Sequence, residues 1–475
     1  MKNKNSIILF IACSAVFLEA LDLAIMNLAL PLIQKHFSLQ EEQSQWLQTI
    51  YVLIYGGFLI IGGKLADIWG RKKVFLTGAF LFLMTSVFAG NAASFESLFL
   101  CRAIQGLGAA LLMPSAMAII TNTFTEETAR SKALGIFSSF AAIGSGCGLS
   151  LGGIIASSLG WHWIFFINIP IISLSLLLAF VLLKPDRRPA DHIRTDLLSG
   201  VLLSACILLL SYFIHALPAL TQKPLLVFLF LLLISTGLFY FFNRTKNHTN
   251  PLIDFALLKA NSAQIGNKTI FILGTFFLSY LLILSFYLQE VLGFSAAKAG
   301  LLLFPFSVAS ALISRFLLPR LIKRVKVIRT ATLGMSLMFL GAFLLIISMG
   351  YGLFAPLVFS IACVTGAGMA ISIPSLTVMA LHQVPIEHQG VASGINTTAY
   401  FFGSGIGLSA VSLIMQLTTV FPTTTKQLIA STALLLLLTA CAALYLFKKG
   451  FELKKHYFII FILTATLSSQ QFLSL

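Results

Sequence analysis

Glu19, Asp22 and Arg102 are charged residues inside long apolar runs, with no loop within easy reach. A charge at the bilayer centre costs about 2.5–3.5 kcal/mol on insertion scales, so such residues usually face a cavity and handle protons, ions or charged ligands. Glu19 and Asp22 are three residues apart and share a helix face. Counted from a start near Ile7, Glu19 lies roughly 18 Å and Asp22 roughly 22 Å along their helix. In a hydrocarbon core about 30 Å thick, that puts Asp22 roughly 8 Å from the far edge. The run holding Arg102 enters from that edge near Leu98, so Arg102 lies roughly 6 Å below it. Asp22 and Arg102 are therefore expected to pair. Glu19, nearer the midplane, has no cation at its own depth. A carboxyl there suits reversible proton uptake, because burial disfavours the charged form. The competing reading is a static Asp22–Arg102 pair that only fixes packing. Lys268 and Arg315 lie about a turn from a helix end and can snorkel.

Other chemistries lack their residues. There is no HExxH, paired-Asp motif or GxSxG elbow, so no enzyme is indicated. The six cysteines lie in apolar runs without a CxxC or a nearby His, which implies neither a disulfide framework nor a metal site. The run Gly144-Ser145-Gly146-Cys147-Gly148 lacks the Lys-Ser/Thr of a phosphate loop. No cofactor is expected, and active transport would have to run on an ion gradient. Few carboxylates and no carbonyl-rich unwound helix favour the proton over sodium.

The elements that must position these residues follow from composition. Of 475 residues, 58% are apolar and 10% charged, with mean hydropathy +0.97. Average soluble domains carry about 25% charged residues, which excludes a soluble globule, a disordered chain or a nucleic-acid-binding domain. Unbroken apolar runs roughly 20 residues long are membrane helices, since barrel strands alternate in short stretches. The expected fold class is an all-α polytopic membrane protein. Fourteen runs are read, at roughly 7–33, 47–66, 74–93, 98–120, 133–159, 162–183, 197–217, 224–243, 264–289, 296–318, 328–349, 353–380, 390–416 and 428–447. Lys2 and Lys4 imitate a signal peptide, but Glu19 and Asp22 and the lack of a clear cleavage site argue for a retained span. The net charge of +16 reflects loops: 24 Lys and Arg fall on the N-terminal side and 4 on the other. Both termini are therefore expected in the cytoplasm. A tail stretch, 457–467, is too short to span and is expected in the cytoplasm or at the interface.

The chain also repeats itself. Gly144-Ser145-Gly146-Cys147-Gly148-Leu149-Ser150 recurs as Gly403-Ser404-Gly405-Ile406-Gly407-Leu408-Ser409, and Gly135 recurs as Gly394, at one offset of 259. Gly106, Gly108, Pro114 and Ser115 recur as Gly366, Gly368, Pro374 and Ser375 at 260. Two parallel six-helix repeats with a two-helix central insert are expected: 1–190, then the insert 191–258, then 259–450, with 451–475 as a tail. Such repeats form transporters whose halves rock about a site near the midplane. Gly135, Gly144, Gly148, Gly152 and Gly153, with Gly394, Gly403 and Gly407, are expected to let helices pack closely.

The motifs together resemble the major facilitator superfamily, in its fourteen-span drug:proton antiporter branch, over nearly the whole chain to about Lys455. Leu21 through Pro31 looks like the first-span signature, with Ala24 where Thr is usual. Gly63-Lys64-Leu65-Ala66-Asp67-Ile68-Trp69-Gly70-Arg71-Lys72-Lys73 resembles the loop between spans 2 and 3, with Ile68 in place of Arg. Leu98–Arg102, Gln105, Gly106 and Gly108 are similar to the fourth-span motif, whose Arg is linked to proton coupling. Gly135–Gly153 resembles the antiporter signature of span 5, with Leu149 replacing a usual Pro. Trp161–Pro170 and Tyr287–Ser295, with Ala299, Gly300, Leu301 and Pro305, are similar to further stretches of that branch. The resemblance implies a proton-coupled multidrug efflux transporter, conferring drug resistance from the bacterial plasma or inner membrane. It adds Asn27 and Gln105 to the proton-coupling and substrate residues Glu19, Asp22 and Arg102.

Gly63, Asp67, Gly70 and Arg71 are expected to form a conformational latch. A carboxylate at Asp67 can dock on a helix N-terminus near Gln389–Gly390 and hold the cytoplasmic side shut. The alternative is a plain positive-inside anchor. The expected partners are a small-molecule substrate, protons and the lipid bilayer, with no nucleic acid; a periplasmic adaptor is left open. Lipophilic, often cationic, substrates lead. A specific exporter of a metabolite, peptide or siderophore is the alternative, and a non-transporting receptor or scaffold the remote one.

Overall fold

The computed structural model describes residues 2–184, 196–220, 223–248, 251, 260–382, 384, 389–418 and 424–472. For 450–472 and scattered helix positions, Gly135, Gln389 and Gly390 among them, only the backbone is described. Every regular element among these residues is helical: α1 (Lys2–Phe37), α2 (Glu41–Trp69), α3 (Arg71–Gly90), α4 (Phe95–Thr123), α5 (Glu127–Ser158), α6 (Trp163–Phe166), α7 (Asn168–Leu182), α8 (Leu197–Leu220), α9 (Pro224–Asn247), α10 (Asn261–Phe286), α11 (Ala296–Leu312), α12 (Leu318–Val325), α13 (Val327–Tyr351), α14 (Phe354–Ile361), α15 (Met369–Leu381), α16 (Gln389–Leu417) and α17 (Thr424–Phe472). A hydrocarbon solvent leaves each segment to satisfy its own backbone, which is why the apolar runs are helices. Twelve of the described helices are long and apolar enough to cross a membrane. Two shorter apolar helices, Ile143–Ser158 and Leu198–Ile214, lie within α5 and α8.

Two groups of helices form. In one, α1 packs on α5, α4 and α7, while α4 also holds α2 and α3. In the other, α10 packs on α15, α16 and α17, and α13 packs on α15 and α17. The groups meet along α5–α11 and α2–α16. Glycine makes the α1–α5 approach possible. A Cβ on Gly148 would stand 2.6 Å from the Leu21 carbonyl, and one on Gly144 would strike the Phe17 carbonyl. In the second group Gly403 sits on Phe271 and Gly407 on Thr275.

The seams between the groups tighten toward the end that carries His36. There a Cβ on Gly153 would fall on the Ala296 carbonyl. One on Gly146, further down α5, would lie 3.0 Å from Ser307. Along α2–α16, Gly405 meets Leu53, Gly56 would meet Phe401 at 2.6 Å, and Gly394 has only Ile60 at 3.9 Å. At the tight end, Ser285 Oγ donates to the Asn27 carbonyl at 2.5 Å and Gln289 Nε2 to the Leu28 carbonyl at 3.3 Å. The opposite end, where Asp67, Ile68 and Trp69 are exposed, is looser.

Helix α8 lies against both groups: Ser204 beside Gly57 of α2, and Ser211 hydrogen-bonded to Ser409 of α16. Asp196 caps α8 through Ser199 and accepts from Arg244 Nε of α9 at 2.8 Å, tying the α8 and α9 ends together. Burial pushes the Asp196 carboxyl up, but the hydrogen bonds from Ser199 and Arg244 outweigh it and hold it below the usual carboxylate range. Helix α17 runs past the last apolar run and continues unbroken to Phe472. No proline interrupts it, and Gly450 alone is a modest cost in a helix.

Candidate functional site

The charged residues of α1 and α4 meet as their depths require. Arg102 Nη1 donates to Asp22 Oδ2 at 2.6 Å, with the two residues 0% and 1% exposed. The same nitrogen donates to Gln105 Oε1 at 2.6 Å, and Nε donates to the Leu47 carbonyl of α2 at 3.2 Å. The guanidinium lies over the Tyr51 ring, 4.1 Å from its centroid, a cation–π contact strengthened by its burial from bulk solvent. Asn168 of α7 donates to Asp22 Oδ1 at 3.2 Å. Gln105 is held in turn, its Nε2 donating to Ser86 Oγ of α3 at 3.1 Å. Five helices thus converge on one ion pair. A buried pair needs additional hydrogen bonds to offset lost hydration, and these neighbours supply them.

Glu19 shares a face with Asp22 but meets other neighbours. It is 8% exposed and hydrogen-bonded to the Tyr55 hydroxyl of α2. The Tyr55 ring lies 4.3 Å from that of Phe401 of α16, and Tyr400 is within electrostatic reach of Glu19. Glu19 therefore stands at the seam between the two helix groups, whereas Asp22 and Arg102 lie within one of them.

Asn27 does not join this cluster. Its Nδ2 turns back to the Leu23 carbonyl at 2.9 Å, and its own carbonyl takes the Ser285 clasp. Tyr51, Tyr55, Leu47, Ser86 and Asn168 are the residues that sequence reasoning left off the site. Asn168 stood in a quoted motif, and the polar spacing of Tyr51 and Tyr55 was a usable signal.

The loop motif resolves into distinct parts. Gly70 joins α2 to α3 at φ 91°, a conformation glycine adopts freely. Gly63 lies at ordinary distance from Pro114 and is not a tight contact. Lys72, which follows Arg71, donates to the Phe180 and Leu183 carbonyls at 2.7 and 2.6 Å and so closes the free end of α7. Asp67 is exposed, within electrostatic reach of Lys64 and Arg71. Gly135, Gln389 and Gly390 are described by their backbone alone. Gly144, Gly148, Gly152, Gly153, Gly403 and Gly407 each lie against a neighbouring helix; Gly394 does so only loosely.

An ion pair sealed inside one helix group, beside a carboxylate on the seam, can couple the protonation of one group to the approach of the other. Known proteins place the chain in a family with this architecture. The profile of the Major Facilitator Superfamily matches residues 12–408. The multidrug resistance protein Stp of Mycobacterium tuberculosis is 31% identical, over 87% of this chain and 76% of that protein. The cephamycin export protein CmcT of Amycolatopsis lactamdurans is 31% identical, over 85% of this chain and 83% of that protein. The lincomycin resistance protein of Streptomyces lincolnensis is also 31% identical, over 82% and 80%. In fold, the chain matches a transporter of the POT family in complex with 5-aminolevulinic acid, with TM-score 0.67 and 15% identity over 94% of this chain and 96% of that one. It matches the nucleoside transporter NupG with TM-score 0.65 and 13% identity, over 94% and 99%. This integral membrane protein belongs to the Major Facilitator Superfamily of transporters.

Proposed function

We propose that the chain exports lipophilic, often cationic, compounds in exchange for protons, by alternating access about the Asp22–Glu19 region. The observation that carries this reading is the Asp22–Arg102 pair, fully buried with Glu19 beside it at the seam. Protonation of Asp22 would weaken its hold on Arg102. Glu19, framed by Tyr55, Phe401 and Tyr400, offers a carboxylate and aromatic faces to a flat cation. The names of Stp and the lincomycin resistance protein agree with such an activity. The test is ethidium transport in proteoliposomes with and without an imposed pH gradient. Uptake into inverted-orientation vesicles should rise with an acidic lumen and collapse when the gradient is dissipated. Gradient-independent transport would overturn proton coupling.

The finer architecture belongs to the same reading. Fourteen spans result if α5 and α8 cross the membrane alongside the twelve longer helices. Both termini and the Asp67 end then face the cytoplasm, in keeping with the 24-to-4 split of basic residues. The parallel repeat gains support from packing: Gly144 on Phe17 and Gly148 on Leu21 have counterparts in Gly403 on Phe271 and Gly407 on Thr275. Domain limits at 1–190, 191–258 and 259–450 follow, with no chemical conversion and no cofactor. In this conformation the outer side is closed and the cytoplasmic side loosened. Asp67 would dock near the start of α16 only in the opposite state. CmcT, named for the export of one antibiotic class, favours a second reading as a specific exporter. A panel of structurally unrelated substrates separates the two.

A further inference from the structure

Along α2 and at the Asp22–Arg102 pair, buried polar atoms remain without a protein partner among the described residues. They are Arg102 Nη2, both side-chain polar atoms of Gln48, the Tyr51 hydroxyl, Gln45 Oε1 and Asn168 Oδ1. Gln45 is 2% exposed, and Gln48, Tyr51, Arg102 and Asn168 are wholly buried. Buried donors and acceptors are paired in the great majority of cases, and internal water is the usual partner where protein supplies none. Gln45, Gln48 and Tyr51 follow α2 in steps of three, roughly 6, 10 and 15 Å from its start and each turned roughly 60° from the last, so that they wind from the seam, where Gln45 Nε2 meets Met415 Sδ of α16 at 3.6 Å, toward the buried pair. Arg102 lies across the Tyr51 ring and bonds the Leu47 carbonyl, while Asn168 reaches the same Asp22.

The mixture of atom types selects the ligand. A metal cation would be repelled by Arg102 Nη2 and the Gln48 amide hydrogens. An anion would meet the oxygens of Gln45, Gln48 and Asn168. Water both donates and accepts, and so satisfies all of them. We propose that Gln45, Gln48 and Tyr51, with Arg102 and Asn168 opposite, bind a file of water molecules that passes protons between the outer face and Asp22. This rests on the proton-coupled reading above. Each water accepts a proton on one side and releases another on the far side. The last proton goes onto an Asp22 carboxylate oxygen, and no bond within glutamine or tyrosine changes. The side chains act as positioning residues. The charged and titratable groups around the file are Asp22 and Glu19 of α1, Arg102 of α4, Tyr51 and Tyr55 of α2 and Tyr400 of α16; α7 contributes the neutral Asn168.

Hydroxyl-radical footprinting by X-ray radiolysis tests the file on the unaltered protein, because labelling requires water in contact with the side chain. Tyr280 is the control, being equally buried but hydrogen-bonded to Ser360 at 2.9 Å. Tyr51 should be labelled at least fivefold faster than Tyr280; equal rates would overturn the file. In proteoliposomes, Gln48→Leu should lower proton-driven ethidium transport at least tenfold. Ethidium binding and ethidium–ethidium exchange should stay within twofold of wild type. Proton-driven transport at the wild-type rate in Gln48→Leu would overturn the proton-passing role. If exchange also collapses, the variant is damaged and the footprint alone decides. Fast labelling of Tyr51 in a wild type that shows no gradient-driven transport would leave the water file standing and defeat the proton-coupled reading instead.

Discussion

Replacing Asp22 by Asn, alone and together with Arg102→Met, measures how strongly the buried pair is coupled. In Asp22→Asn the guanidinium keeps Gln105 Oε1, the Leu47 carbonyl and the Tyr51 ring, but loses its only anion within hydrogen-bond distance. Removing one member of a buried pair costs about 3–5 kcal/mol. The remaining neutral acceptors place this site at the lower end, about 3 kcal/mol. Neither residue is more than 1% exposed, so solvent does not reduce the figure. In the double variant the methionine takes much of the guanidinium's volume without a charge, so the double should be more stable than Asp22→Asn alone. A coupling energy of at least about 2 kcal/mol is expected, within the range for contacting residues. SDS-induced unfolding followed by tryptophan fluorescence suits the measurement. Trp46 and Trp69 lie in α2, and Trp161 and Trp163 at α6, which packs on α1 and α3 of the helix group that holds the pair. A coupling energy below about 0.5 kcal/mol, the scatter of independent sites, would refute the reasoning.

Asp67→Asn should leave stability within about 0.5 kcal/mol of wild type, since Asp67 is exposed here, yet slow transport by removing a contact of the opposite state; unchanged transport would favour the anchor reading. Ser285→Ala removes one hydrogen bond of the clasp at the His36 end, worth about 0.5–1.5 kcal/mol, and should raise labelling of cysteines placed at that end of the seam about two- to tenfold. A reporter fused after Lys455 should behave as cytoplasmic and one near Gln222 as external; reversal at either place defeats the fourteen-span topology. The Asp196 carboxyl is held below its ordinary value on folding, so its contribution to stability is full above about pH 4 and fades as pH falls through the depressed pKa. Arg244→Gln should therefore lose stability near neutral pH and show a shallower acid dependence, read by thermal unfolding between about pH 3 and pH 7.

Depth along a helix was legible from residue number, and so Asp22 and Arg102 were matched correctly. Direction around the helix was used only in part. Asn27 follows Asp22 by five residues, roughly 140° around the axis, which points it away from Arg102. Glu19 and Asp22 share a face, but the roughly 60° between them is enough to send one to α2 and α16 and the other to α4 and α7. Tyr51, Tyr55 and Asn168 are neutral, and neutral polar residues in a span carry no large insertion penalty to mark them. Which helix lies opposite was the missing information. The π-helical turns at Tyr287–Val291, Ile313–Leu317 and Ala362–Gly368 also went unread, since nothing in hydropathy distinguishes them from α-helix. The role of Lys72 depends on where α7 ends, which the loop motif alone does not reveal.

Helix α5 carries glycines on two opposite sides. Gly144, Gly148 and Gly152 lie against α1, and Gly146 and Gly153 face α11 across the seam between the groups. On both sides the contact is largely with neighbouring main chain or with the base of a side chain, so few rotatable side-chain bonds intervene to absorb a displacement. Any shift of α1 would therefore be handed to α5 nearly undiminished, and from α5 to the start of α11. The helix behaves as a stiff pushrod, with α1 at one bearing and the far bundle at the other. A single added methyl group on either side would act as a shim, altering the stroke without touching Glu19, Asp22 or Arg102.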